Sequence, residues 1–389
     1  MRKIVVVSAG RSDYGICLPI LRALTQCPDL DLCLIASGTH LSPQHGCTVQ
    51  AFEADGFVVS EKVEMLLSSD SPEGIVKSMG VALLGFAGVY SRQKPDVIVV
   101  LGDRFEMHAA ALAALPFKIP VAHIHGGEET LGAFDNSLRH SITKLSHLHF
   151  AATKEYARRI IQLGEEPWRV MVVGAPSLDN LRSLRLLTAS ELKESHKILI
   201  EESPLVVTFH PVTLEYENVE QQMIELLAAL GDSGLPVIFT MPNADTSNYV
   251  IRRMIAEYVA SHPRSQVFEN LGTQRYFSVM AAAGAMVGNS SSGIIEAASF
   301  RLPVVNIGTR QRGRLHPPNV IDVGYDRGQI LKGIEVATSR RFREGLRGLE
   351  NPYGDGHAAE RIVERLATIE LGDQLTWKPF HDLPVGVIP

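Results

Sequence analysis

The chain has 389 residues, 45% hydrophobic and 21% charged, the balance of an ordinary globular protein that is too long for one compact core. A formal net charge of −6 argues against broad nucleic-acid binding, which needs a basic face, but leaves room for local arginines around a small phosphorylated ligand. Cys17, Cys27, Cys33 and Cys47 form no C-x-x-C pair, so they read as reduced thiols rather than a disulfide framework or a zinc ribbon.

MRKIVVVSAG opens on an apolar run too short for a signal-peptide core, and no stretch of 18 or more apolar residues follows. The expectation is a cytoplasmic protein that does not engage a membrane. IVVVSAG (4–10) reads as a buried parallel strand. It ends in the turn SAGRSDYG (8–15), which puts Arg11 and Asp13 just before the first helix, the usual place for ligand contacts in α/β folds. The pattern 71–93 predicts a helix, VIVVLGD (97–103) a strand, and FEMHAAALAAL (105–115) a second helix. Asp103 and Arg104 stand at that strand's carboxyl end. Asp103 serves there as the helix N-cap or as a catalytic carboxylate, and both can hold together.

VAHIHGG (121–127) is the next strand, and SLRHSITKLSHLH reads as a helix behind it. The double glycine lets the chain turn. Glu128 and Asp135 then flank a space with Arg139 and His140 one turn further on, an arrangement suited to acid/base work. Asp135 has the alternative role of helix cap. A zinc reading of His123-x-His125 lacks a nearby cysteine or other ready ligand, so no metal is expected. VMVVGAP (170–176) ends the first series of strands.

The second half repeats the alternation with LVVTFHP (205–211), PVIFTMP (236–242), GAMVGNS (284–290) and LPVVNIG (302–308). His210 ends the first of these, as a structural histidine or as a donor to phosphate. GNSSSGIIEAASF (288–300) runs from a strand into a helical pattern. Ser290, Ser291 and Ser292 there make an anion site, with simple N-capping as the alternative. Glu296 lies one turn on, within reach of ribose hydroxyls or merely solvated. GTRQRGR (308–314) sets Arg310, Arg312 and Arg314 after the next strand, as a ligand loop or a solvated basic one. Neither G-x-G-x-x-G nor a P-loop occurs, which disfavours a nicotinamide or flavin cofactor. GDGHAAERIVERLATIE (354–370) is a last helical run.

Strands alternating with helices twice over predict two doubly wound, Rossmann-like α/β domains, with ligands collecting at strand carboxyl ends in a cleft between them. The boundaries expected are 1–176 and 177–370, with 371–389 packing back on the first domain.

GRSDYG, LGDRFE, HIHGGE, DNSLRHSITKLSHLHF, FHPVT, GNSSSGIIEA, NIGTRQRGR and NPYGDG, in that order, resemble the hydrolysing UDP-N-acetylglucosamine 2-epimerases of the bacterial sialic acid and legionaminic acid pathways. The resemblance runs through nearly the whole chain. It implies the two-domain GT-B fold, a UDP-sugar partner, no bound organic cofactor and a homodimer or higher homo-oligomer. It also implies a reaction in two stages. A base removes the C2 proton as UDP leaves C1, giving a 2-acetamidoglycal; water then adds across the double bond with the opposite configuration at C2, releasing N-acetylmannosamine. By the same resemblance Asp103, Glu128 and Asp135 do the acid/base work. His125, where animal relatives carry glutamate, is a further candidate for the C2 proton. Arg11, Arg104, His210, Ser290, Ser291 and Ser292 contact the substrate, with Arg310 and Arg314 beside them and Glu296 on ribose. Two rivals stand beside UDP-N-acetylglucosamine turnover: the same chemistry on UDP-N,N'-diacetylbacillosamine, and a GT-B glycosyltransferase.

Overall fold

Short runs rich in valine and isoleucine, bounded by glycine or polar turns, form parallel strands covered on both faces. The computed structural model describes residues 1–42, 48–67, 71–131, 134–212, 215–241 and 248–383. Cys47 lies outside them; Cys17, Cys27 and Cys33 are free thiols.

The first sheet holds β1 (Arg2–Ser8), β2 (Leu30–Ser37), β3 (Val59–Val63), β4 (Val97–Leu101), β5 (Val121–Ile124), β6 (Leu148–Ala151) and β7 (Val170–Val172), in the spatial order β3-β2-β1-β4-β5-β6-β7. The second holds β8 (Leu205–Thr208), β9 (Val237–Thr240), β10 (Ser265–Phe268), β11 (Ala285–Gly288), β12 (Val304–Ile307) and β13 (Val320–Val323), in the order β10-β9-β8-β11-β12-β13. Every strand pairing is parallel. These are two Rossmann-like doubly wound sheets, as the sequence predicts. The strand order reverses between β1 and β4, and again between β8 and β11. Each reversal sends the flanking connections to opposite faces and opens a crevice at the carboxyl ends of those strands.

Side-chain alternation explains the paired cores. On β1, Ile4 and Val6 point into one apolar cluster with Ile20, Leu24, Ile362 and Leu366, while Val5 and Val7 enter another with Phe86, Tyr90 and Met107. On β8, Leu205 and Val207 pack with Leu226 and Phe239, and Val206 with Ile238 and Met280.

The chain divides into two compact units: Met1–Glu128, Phe134–Asp179 and Tyr353–Pro389 in the first, Glu129–Ala133 and Asn180–Pro352 in the second. The helix Ala358–Thr368, drawn with the second domain in the sequence reading, packs instead on the first-unit helix Arg11–Gln26, because Ala358, Ile362 and Leu366 complete that unit's core. The segment after it is strapped down by polar groups. Arg169 donates to the carbonyls of Gln374 (2.9 Å), Leu375 (2.8 Å) and Trp377 (2.8 Å).

One local reading differs from the structure. The predicted helix through SLRHSITKLSHLH stops at Leu145, and Leu148–Ala151 is strand β6, since the His147 N–H is taken by the Val121 carbonyl (2.7 Å) at the sheet's end. The predicted helix 71–93 is present as Pro72–Gln93, which by length and composition is apolar enough to cross a membrane. Here its Ala82, Phe86, Val89 and Tyr90 pack into the first unit's core.

Candidate active site

In the first unit the polar residues gather beyond β4 and β5. Gly102 takes the left-handed conformation (φ 74°) as β4 ends, and Asp103 follows. Asp103 is not the cap of the next helix: Arg104 holds the N-cap position of Phe105–Ala114, and no side chain caps it. The Asp103 carboxylate instead accepts from Arg139, whose guanidinium is buried. Nη1 of Arg139 also donates to the His125 carbonyl (2.8 Å), so one side chain ties the β4 and β5 termini together. Arg104, expected on substrate, makes a two-pronged pair with Glu106 (3.1 and 2.8 Å), which is fully buried. Arg11 begins its helix as an exposed residue.

His125 lies just past β5 with φ 62°, a conformation that side-chain-bearing residues rarely adopt. This sets it apart from His123, which remains in the strand. The His123 Nε2 donates to the Gly102 carbonyl (2.7 Å) and its Nδ1 meets Thr143 Oγ1 (3.2 Å); burial lowers its pKa to about 3, so the ring is a neutral brace under the Gly102 turn. The His125 Nδ1 donates to Glu128 Oε1 at 2.5 Å, with both side chains buried. Gly127 (φ 77°) makes this turn feasible, because a Cβ there would stand 2.4 Å from the Tyr156 carbonyl oxygen.

Asp135 opens the helix Asp135–Leu145 as its first residue and not as its cap, which is Phe134. Burial, and next the Asp103 carboxylate, push its pKa up to about 6, with Arg104 opposing. Asp13, in the first turn of the helix Arg11–Gln26, is raised to about 6 chiefly by burial. Arg104 opposes that shift; Glu106 and Asp103 add to it, and the Asp13 Oδ2 has no hydrogen-bond partner. In the first unit Arg139 thus joins Asp103 to the His125 backbone and His125 pairs with Glu128, while Asp135 and Asp13 both feel the charges of Asp103, Arg104 and Glu106. Among the described residues no three His, Cys, Asp or Glu side chains group so as to hold a metal ion.

The second unit gathers its polar residues beyond β8 and β11. Gly288 (φ 133°) brings the two strand ends together, since a Cβ there would stand 2.0 Å from the Thr208 carbonyl oxygen. Asn289, fully buried, brackets the His210 backbone: its Oδ1 accepts from the His210 N–H (2.7 Å) and its Nδ2 donates to the His210 carbonyl (2.8 Å). His210 is buried, and burial with the Arg310 charge holds its pKa well below the usual imidazole value. A neutral ring at this place can donate one N–H to an anion.

Ser290 is the N-cap of Ser291–Ile295 and accepts from the Ser292 N–H (3.4 Å). Capping accounts for Ser290; Ser291 and Ser292 are half-buried on the same turn. Glu296 follows, buried, at the end of that turn. Arg310 (3.1 Å) and Gln311 (2.8 Å) both donate to the Asn289 carbonyl, fastening the loop after β12 to the serine turn, and the Arg314 N–H donates to the Gln311 carbonyl (3.3 Å).

Sequence reasoning left Glu106, Tyr276, Asn289 and Gln311 out of the site, and named Arg139 only as a neighbour. Burial leads in raising the Tyr276 pKa to about 12, with Glu296 adding to the rise and Ser292, Thr208 and Ser290 opposing it. Nothing local marks this tyrosine, which arrives from the helix Gly272–Ala282.

The profile described as UDP-N-acetylglucosamine 2-epimerase matches residues 22–367. A Legionella pneumophila protein named UDP-N,N'-diacetylbacillosamine 2-epimerase (hydrolyzing) is 38% identical over 375 residues, covering 96% of this chain and 98% of its own. A Campylobacter jejuni protein named GDP/UDP-N,N'-diacetylbacillosamine 2-epimerase (hydrolyzing) is 37% identical over 385 residues, covering 98% and 99%. Among solved structures, UDP-GlcNAc 2-epimerase from Neisseria meningitidis bound to UDP-GlcNAc superposes with a TM-score of 0.81 over 94% of this chain and 99% of that one, at 21% identity.

Proposed function

The chain belongs to the UDP-N-acetylglucosamine 2-epimerase family, and from that premise we propose that it is a hydrolysing 2-epimerase that turns a UDP-linked 2-acetamido sugar into UDP and the free C2 epimer. The observation that carries the proposal is the group beyond β4 and β5: Arg139 ties the Asp103 carboxylate to the His125 backbone, His125 pairs with Glu128, and Asp135 feels the Asp103 charge. Elimination needs a base for the C2 proton, and hydration needs a donor to the opposite face of C2. Two carboxylate-centred groups in different environments suit those two tasks.

The steps balance without a redox partner. The C2–H pair becomes the C1–C2 double bond as the C1–O bond breaks and UDP departs. Water then gives hydroxyl to C1 and its other proton to a basic side chain, while a protonated side chain gives its proton to C2 on the other face. Asp135, raised to about 6, is suited to exchange a proton near neutrality. The diphosphate falls to the second unit's His210, Ser290, Ser291 and Ser292, with Arg310 and Arg314 near and Glu296 for ribose. A neutral histidine, hydroxyls and backbone N–H groups are the donors that a leaving diphosphate requires. Arg11 and Arg104 complete the proposed substrate contacts.

For the sugar we put UDP-N,N'-diacetylbacillosamine first and UDP-N-acetylglucosamine second, the reverse of the order the motifs suggested. The support is the activity for which the relatives at 38% and 37% identity over nearly the full chain are named. The deciding experiment incubates the protein with each UDP-sugar in heavy water and follows it by NMR. The expected result is UDP with 2,4-diacetamido-2,4,6-trideoxymannose carrying deuterium at C2. Faster release of N-acetylmannosamine from UDP-N-acetylglucosamine reverses the order again. UDP release without C2 deuterium ends the epimerase reading and leaves hydrolysis or glycosyl transfer.

A further inference from the structure

The loop after β12 carries a histidine whose two ring nitrogens both face acceptors. His316 Nδ1 lies 2.8 Å from Oδ2 of Asp322 on β13, and Nε2 lies 3.1 Å from the carbonyl oxygen of Gln311. A neutral imidazole has one N–H and meets one of these acceptors, whereas the imidazolium meets both. Asp322 is itself oriented from the other side, where Asn306 Nδ2 donates to its Oδ1 (2.7 Å).

What His316 holds is connected onward. The buried Gln311 donates through Nε2 to the Asn289 carbonyl (2.8 Å), and Asn289 brackets the backbone of His210 (2.7 and 2.8 Å) while leading into the serine turn. A continuous line of hydrogen bonds therefore runs from β13, at the sheet's edge, to the two strand ends at its switch point. Every link lies within the second unit.

We propose that His316, as the imidazolium, is a positioning residue for the diphosphate-binding turn: it clamps Gln311, and through Gln311 and Asn289 it sets His210 and Ser290–Ser292. The proposal rests on the reading of that turn as the diphosphate site. The charged groups facing the ring are Asp322 from β13 and Arg314 from its own loop. The hydrogen bond to Asp322 leads in raising the His316 pKa, against burial and the Arg314 charge. A raised imidazole pKa means that the clamp is complete below the ordinary histidine value and is lost as pH rises through the raised one.

The test uses the full chain. With 15N-labelled histidine, NMR of the unliganded protein is expected to show His316 protonated on both nitrogens at pH 7, and a singly protonated neutral ring overturns the proposal. Calorimetric titration with UDP is expected to show about tenfold weaker binding in His316→Leu at pH 6, shrinking by pH 8.5, with KM raised and kcat within about twofold. His316→Gln, which keeps one donor, is expected to recover part of the loss. Equal UDP affinity in wild type and His316→Leu at pH 6 overturns the clamp. Where wild type itself does not bind UDP, the diphosphate reading falls, and amide hydrogen exchange of 289–292 and 309–314 decides the clamp alone. Faster exchange in His316→Leu upholds it, and unchanged exchange overturns it. Should His316→Leu fail to fold, Asp322→Asn is expected to lower the His316 pKa in the same NMR titration; an unmoved pKa overturns the proposal.

Discussion

His125 and Glu128 share a 2.5 Å hydrogen bond inside the first unit, and the turn that joins them places His125 in a left-handed conformation. The carboxylate fixes which nitrogen of the ring carries a proton and leaves Nε2 as the atom able to accept one. In the proposed reaction this pair supplies a base and its orienter, built within four consecutive residues by Gly126 and Gly127. Arg139 secures the same turn from outside by holding the His125 carbonyl.

Glu128→Gln keeps the shape of that pair and removes its charge. The expected outcome is a fall in kcat of about 10²-fold or more. UDP affinity is expected to stay within about threefold, since the proposed diphosphate residues belong to the second unit. Steady-state kinetics and calorimetry check this together, and turnover near wild type removes Glu128 from the acid/base group.

Asp135 is expected to set the acidic limb of the pH profile. Burial and the Asp103 carboxylate raise it to about 6, so as a base it is lost to protonation when pH drops through about 6, well above the ordinary aspartate range. A plot of kcat/KM against pH is expected to fall on its acid side with a midpoint near 6. A midpoint near 4 assigns the essential carboxylate elsewhere.

Asp13 reports on stability rather than turnover. Its folded pKa, about 6, exceeds that of an unfolded aspartate, so its contribution to stability is present below about pH 4 and is lost as pH rises through about 6. Asp13→Asn is expected to be more stable than wild type at pH 7.5, by on the order of 1 kcal/mol, and to lose that advantage at pH 4. Denaturant unfolding at the two pH values measures it; a variant less stable than wild type at pH 7.5 refutes the account.

Arg169 is buried and holds three carbonyls of the C-terminal segment, that of His147 and the carboxylate of Glu166. Arg169→Ala leaves those acceptors without their donor. A loss of about 3–5 kcal/mol in denaturant unfolding is expected, with faster proteolysis after Leu371. A loss below about 1 kcal/mol shows that the strap contributes little.

The sequence by itself determined the repeated strand–helix alternation, because a central parallel strand is buried on both faces and shows as an unbroken apolar run. β1, β4, β5, β8 and β11 are all legible for that reason, and with them the carboxyl-end positions of Asp103, Glu128, His210 and Ser290. The edge strands VSEKV, SQVF and VIDV are half-covered and carry no such run, although the edge strand β7 does; the central strand β2 (Leu30–Ser37) is not among the predicted strands. What only the tertiary structure decided is which polar residues share a site. Arg139 meets Asp103 from 36 positions away, Asn289 brackets His210 across 79, and Gln311 reaches Asn289 across 22. Local sequence encodes propensity and face. A hydrogen bond between side chains that distant exists only once the sheet order has brought two strand ends together, so the partners of a buried polar group lie outside any window of sequence that contains it.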